Sequence, residues 1–186
     1  MTTIKVPYHK EYREFCIPDS DKVEIVKPNY DKYDQKKDVS EEEIISTALA
    51  NPIDKPRLSE MVDSDSKVAI IVDDNTRPTP TSRILPHILN ILEDAGTRDA
   101  NVTIIFARGT HRELSEKEEK ELLGKRVWKK YRVIQHDSSN EDQLIQLPNS
   151  NKKANKWAVE ADLRILTGFI KSHDIAGYSG GANSIL

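Results

Sequence analysis

The chain has 186 residues, 37% of them hydrophobic and 32% charged, with a formal net charge of -3. That length suffices for one ordinary α/β domain and a small extra lobe, and the acidic balance leaves no basic footprint for nucleic acid. A lone cysteine, Cys16, rules out an internal disulfide framework and a cysteine zinc site, and no apolar run reaches membrane-spanning length. Residues 1–5 lack the apolar core of a signal peptide, so the cytoplasm is the expected compartment.

Residues 1–30 read as a small N-terminal β region of the same domain. Three short stretches rich in β-formers, 4–8, 13–17 and 23–26, are punctuated by Pro7, Pro18 and Pro28. Cys16 lies between Phe15 and Ile17, where a small buried hydrophobe is expected. The α/β domain is expected over 31–186, entered through a charged connector at 30–38. Ser40 and Glu43 have capping-box spacing, and the helix they open should stop near Asn51-Pro52. Pro56 opens another helical turn through Leu58 and Met61.

From Lys67 the rhythm becomes strand, motif, helix. Residues 68–72 form a continuous apolar run, as in a strand buried on both faces. The motif Asp73-Asp74-Asn75-Thr76-Arg77 follows. Thr81 or Ser82 should cap a helix with the apolar stripe Ile84, Leu85, Ile88, Leu89 and Leu92, with Pro86 near its first turn and Gly96 ending it. The unit repeats at 102–107, followed by Gly109-Thr110-His111-Arg112 and a helix between a Ser115–Glu118 capping box and Gly124. The basic run 125–130, which contains Trp128, reads as a solvated helix end or loop. A third strand at 131–135 delivers His136-Asp137. Residues 144–147 suit a short edge strand, and a last strand at 163–166 leads into the closing stretch.

Alternating strands and helices imply an α/β fold with a mostly parallel sheet flanked by helices, Rossmann-like, in which ligands bind beyond the carboxyl ends of the strands. The aspartates, His111, His136 and His173 each follow a strand, so parallel strands place them on one rim. Asp73 and Asp74 also suit a turn, and His136-Asp137 can equally cap one. Arg77 offers a planar cationic fork for a carboxylate. Two histidines on opposite faces of a ligand can exchange a proton near neutral pH. Three of the seven glycines fall within 177–181, around Tyr178 and Ser179. Such a turn before a helix can aim N–H groups at an anion. The chain then stops without a helix stop signal, which reads as a piece cut from a longer protein.

These motifs resemble the N-terminal domain of the nickel-pincer lactate racemase family from about Tyr8 onward. The residues that carry the resemblance are Ile17-Pro18-Asp19, Asp74-Asn75-Thr76-Arg77-Pro78, Gly109-Thr110-His111-Arg112, His136-Asp137, Gly168-Phe169-Ile170, His173, the run from Ala176 to Gly181, and Ser184-Ile185-Leu186. The resemblance implies a racemase or epimerase of a 2-hydroxy acid. Its cofactor would be a nickel ion on a sulfur-containing pyridinium mononucleotide, the nickel-pincer nucleotide. It also implies His111 and His173 as the acid/base pair and Arg77 at the substrate. Asp74 and Thr76 would lie beside the cofactor, with Gly177, Tyr178, Ser179, Gly180, Gly181 and Asn183 in its cradle. No metal ligand is assigned to these residues, and no nucleic-acid or membrane partner is implied.

Three departures qualify the match. Asn183 stands where the family carries the lysine that tethers the cofactor, so binding here is expected to be non-covalent. Lys171-Ser172 precede His173 where an acidic residue and proline are common. The chain ends before the histidine that completes nickel coordination and before the C-terminal domain, so this piece is expected to be inactive alone. Asn183 also keeps open a non-catalytic homologue that binds a nucleotide or hydroxy acid, and a generic phosphate-binding α/β domain is a third alternative.

Overall fold

The structure is a computed structural model and describes residues 1–9, 11–24, 39–173 and 177–181. The chain divides into two compact units, Met1–Val39 and Ser40–Leu186.

The first unit holds an antiparallel hairpin of β1 (Thr2–Tyr8) and β2 (Glu11–Ile17), with Thr2 opposite Ile17 and Tyr8 opposite Glu11. His9 lies in the turn at φ 55, a left-handed conformation that few residues other than glycine adopt. Lys5 faces Glu14 across the ladder in an ion pair of 3.0 Å, and the Arg13 guanidinium stacks over Tyr8. Cys16 is exposed rather than buried, because a two-stranded ribbon has no inner face of its own. The third strand expected at 23–26 is not formed at residues 23 and 24, and its other half lies outside the described residues.

The second unit begins with α1 (Glu41–Ala50), capped by the Ser40 side chain, which accepts the Glu43 N–H. A 3-10 turn at Leu58–Glu60 follows, where Pro56 suggested one. Next come β3 (Val68–Val72), α2 (Thr81–Asp94), β4 (Val102–Phe106), α3 (Glu116–Leu123), α4 (Lys125–Lys130) and β5 (Arg132–Gln135). β6 (Leu144–Gln146), β7 (Lys153–Asn155), α5 (Lys156–Glu160), β8 (Leu163–Leu166), β9 (Ser172–His173) and β10 (Gly177–Tyr178) complete it. Four strands form a parallel sheet in the order β5-β4-β3-β8. The sheet is the expected α/β architecture.

Every residue of β3 is buried, as its unbroken apolar run requires for a central strand. Strand alternation divides it between two layers. Val68, Ile70 and Val72 pack with Ile104 and Phe106 against Leu85, Ile88, Leu89 and Leu92 of α2 and Leu123 of α3. Ala69 and Ile71 pack with Ile105 against Ala158 and Ala161 on the other face. The small side chains there let the short α5 lie close to the sheet.

Several local expectations change. Pro80 rather than Thr81 or Ser82 is the N-cap of α2, and no side chain caps it. Pro86 is therefore the sixth helical residue, beyond the first turn, and leaves the Ser82 carbonyl without its usual partner. Ser82 is exposed, so water can serve that carbonyl. The basic run is α4, a helix of its own after Gly124 at φ 83, with Val127 buried and Lys130 paired to Glu93 and Asp99. β6 is not an edge of the main sheet: it pairs with β7 in a separate antiparallel ribbon.

Asn155, at the end of that ribbon, caps α5 by accepting the Trp157 N–H, and its amide meets His136 Nδ1 at 3.2 Å. Burial holds the His136 imidazole below its ordinary value of 6.5, with the nearby Arg108 charge acting the same way. The imidazole is thus neutral in the folded and unfolded chain above about pH 6.5. As pH falls from there the unfolded chain takes its proton first, and stability is lost. His136→Gln should flatten this acid-side loss in Tm measured against pH; an unchanged profile would contradict the assignment. In the core, Leu85→Ala should destabilise the protein by about 2–5 kcal/mol in urea unfolding, since Leu85 is fully buried.

Candidate active site at the sheet rim

The parallel ladder runs one residue past the strands. Ala107 donates to the Val72 carbonyl at 2.8 Å, His136 to Phe106 at 3.0 Å and Thr167 to Ile71 at 2.9 Å. The polar motifs therefore begin at one edge, as chain order required.

Asp74 leaves that edge buried, with 3% of its surface exposed. Its Oδ1 accepts the Thr76 backbone N–H at 3.0 Å and the Thr76 hydroxyl at 2.5 Å, and its Oδ2 meets His111 Nδ1 at 2.5 Å. Burial pushes the Asp74 carboxyl up, but the hydrogen bonds from Thr76 and His111 outweigh it and hold the group below the usual carboxylate range. An ionised Asp74 can only accept, so Nδ1 carries the proton and donates it, and Nε2 becomes the acceptor of the ring. The His111 side chain is 47% exposed. This is the arrangement of a base oriented by a buried carboxylate.

Arg108 fixes the His111 loop from behind. The His111 N–H donates to the Arg108 carbonyl at 2.9 Å, and Arg108 Nη1 donates back to the His111 carbonyl at 2.5 Å. Arg108 also pairs with Asp137 at 3.4 Å. His136 is engaged by Asn155 and thus serves the packing of the rim.

Asp73, a rim residue that its sequence also suits to a turn, is a fastener. Its Oδ2 accepts the Thr79 hydroxyl at 2.5 Å and the Phe169 N–H at 3.3 Å. It thereby joins the loop after β3 to the stretch after β8. That stretch and the glycine turn are packed backbone to backbone. A Cβ on Gly168 would stand 3.3 Å from Gly180 Cα, and one on Gly180 would stand 3.1 Å from the Phe169 carbonyl oxygen. Gly180 also sits at φ 85, which L side chains disfavour. Ser179 locks the turn: its hydroxyl donates to the Phe169 carbonyl at 2.9 Å, and its N–H donates to the Lys171 carbonyl at 2.9 Å.

The glycine stretch is not a plain helix-leading turn. β9 and β10 pair antiparallel, with His173 opposite Gly177 and Ser172 opposite Tyr178. His173 is partly buried and Tyr178 is 69% exposed. Asn183, and the helix expected after the turn, lie outside the described residues. Arg77 donates its N–H to the Asp74 carbonyl at 3.3 Å. Its side chain is exposed and has no ion pair among the described residues. No group of three or more His, Cys, Asp or Glu side chains that could hold a metal ion occurs among the described residues. No helix among them is long and apolar enough to cross a membrane.

The rim belongs to a known kind of domain. Residues 8–186 match the model of the lactate racemase N-terminal domain. A lactate racemase of Thermoanaerobacterium thermosaccharolyticum is 38% identical over 100% of this chain and 44% of its own length. One from Lactiplantibacillus plantarum is 33% identical over the same shares. The lactate racemase apoprotein structure from T. thermosaccharolyticum superposes with a TM-score of 0.81 at 35% identity, over 99% of this chain and 43% of that one. A Thermotoga maritima crystal structure shares the fold at a TM-score of 0.59 and 22% identity, over 77% of this chain and 37% of that one. The chain thus spans less than half the length of the curated relatives it matches, and it belongs to the lactate racemase N-terminal domain family.

Proposed function

We propose that this domain supplies the proton-handling side of a racemase or epimerase that acts on a 2-hydroxy acid. The observation that carries the reading is the 2.5 Å contact of buried Asp74 with His111 at the strand rim, in a chain whose relatives bear the name lactate racemase. With Nδ1–H committed to Asp74, His111 Nε2 takes the proton of the substrate hydroxyl. The carboxylate stabilises the imidazolium so formed, and the same nitrogen returns the proton. Inversion needs a second such group on the opposite face, and His173 is assigned that role. The Arg77 fork, without a carboxylate partner among the described residues, holds the substrate carboxylate.

The resemblance assigns the hydride chemistry to the nickel-pincer nucleotide, which when bound accepts the α-hydrogen with its electron pair and returns it to either face. The residues fit the phosphate-bearing end of such a group. A Cβ on Gly177 or Gly181 would meet nothing within 4 Å, so another molecule can approach that backbone closely. Tyr178, Ser179 and Thr76 border the same stretch and loop. They do not fit a tether at residue 183, because the Asn183 amide is not a nucleophile, so the group is held non-covalently. The remainder of a longer protein, as in the relatives, completes the site, and these 186 residues alone are inactive. The cytoplasm is the proposed compartment. Asn183 also supports a second reading, a homologue that binds without turnover.

In the full-length protein made together with cofactor-producing enzymes, His111→Ala and His173→Ala should each lower racemisation by about 100-fold or more, read by chiral chromatography. Unchanged turnover in both would overturn their roles, and a parent protein that binds the acid without forming its enantiomer would favour the second reading. Mass spectrometry should find the cofactor under native conditions and lose it on denaturation. A mass that survives denaturation would contradict non-covalent binding.

A further inference from the structure

We infer that Glu118 is a positioning residue for the Asp74–His111 pair, a single carboxylate that fastens together the two loops carrying them. The inference rests on the proposed acid/base role of that pair, and its substance is structural. A capping-box glutamate needs only one interaction, accepting the N-cap N–H. Glu118 makes that bond to Ser115 N at 2.9 Å and adds the Ser115 hydroxyl at 2.8 Å. The same carboxylate grips Arg112 as a fork, with Nη1 on Oε2 at 2.9 Å and Nη2 on Oε1 at 2.5 Å. Oε1 also accepts Asn75 Nδ2 at 2.8 Å.

Arg112 is the residue after His111, and Asn75 is the residue after Asp74. The immediate neighbours of both members of the pair therefore end on one carboxylate, itself anchored to the first turn of α3. A bidentate Arg–carboxylate contact fixes orientation as well as distance. Arg112 and the two Ser115 bonds hold the Glu118 carboxyl far below its usual range, so it stays ionised under all ordinary working conditions. Misplacement of a proton-transferring group by about 1 Å can cost 100-fold in rate. Fixing the spacing of the two loops from beside the pair thus governs turnover.

The test uses three variants of the full-length protein. Glu118→Gln puts an amide N–H against the Arg112 or Asn75 donors. Asn75→Ala removes only the link to the Asp74 loop, and Ser115→Ala removes the capping hydroxyl and its bond to Glu118 while leaving Arg112, Asn75 and the residue-115 N–H on the carboxylate. In the protein without cofactor, the Asp74-bound His111 Nδ1–H should give a downfield proton NMR signal, identified by its loss in His111→Gln. That signal should persist in Ser115→Ala and be lost or broadened in Asn75→Ala and Glu118→Gln. In the loaded enzyme, kcat should fall about tenfold in those two variants with KM within about twofold. Ser115→Ala should lower Tm with kcat unchanged. A parent protein that fails to racemise removes the functional reading, while the NMR result still decides the clamp. Retention of the signal in Asn75→Ala and Glu118→Gln would overturn the inference, as would an equal loss in Ser115→Ala.

Discussion

Two adjacent carboxylates at the end of a fully buried strand hold the rim of this domain together. β3 is apolar throughout, and the chain turns from Val72 straight into Asp73 and Asp74, which are 9% and 3% exposed. Carboxylates withdrawn from water are unfavourable unless their oxygens find donors. Asp73 finds them in Thr79 and Phe169, and Asp74 in Thr76 and His111. The need to satisfy these oxygens brings the loop after β4 and the stretch after β8 onto the loop after β3. The same contacts that relieve the burial of the two charges therefore assemble the candidate site.

That dual use divides the labour between neighbours. Asp73 makes its contacts to a hydroxyl and a backbone N–H, both of which are fixed partners, so it is a fastener. Asp74 spends one oxygen on its own turn and the other on a titratable ring, which couples it to chemistry. In the proposed reaction the protein handles only a hydroxyl proton and a carboxylate, and the α-hydrogen moves with its electron pair. A histidine supported by an ionised aspartate suits the first task and has no part in the second.

The parallel sheet was legible because periodicity and chain order carry it. The unbroken 68–72 run marked the central strand, and the repeat of strand, motif and helix placed Asp74 and His111 on one rim. Other features depended on contacts between distant residues. Nothing in the local sequence separates Asp73 from an ordinary turn aspartate, because its partner Phe169 lies 96 residues away. Glu118 was visible as a cap, yet its grip on Asn75 spans 43 residues. Cys16 misled because alternation suggests a buried face even where the ribbon has no second layer of its own. Thr81, Ser82 and Pro86 misled because backbone geometry at Pro80, rather than a capping hydroxyl, starts α2.

The central claim is that His111 serves the hydroxyl oxygen of the substrate and leaves its carbon alone. The direct measurement is racemisation by the loaded full-length protein of a 2-hydroxy acid carrying deuterium at the α-carbon, in ordinary water. The account predicts that both enantiomers at equilibrium retain the deuterium. Replacement of the label by solvent hydrogen would contradict it, because a histidine would then be removing the α-proton itself.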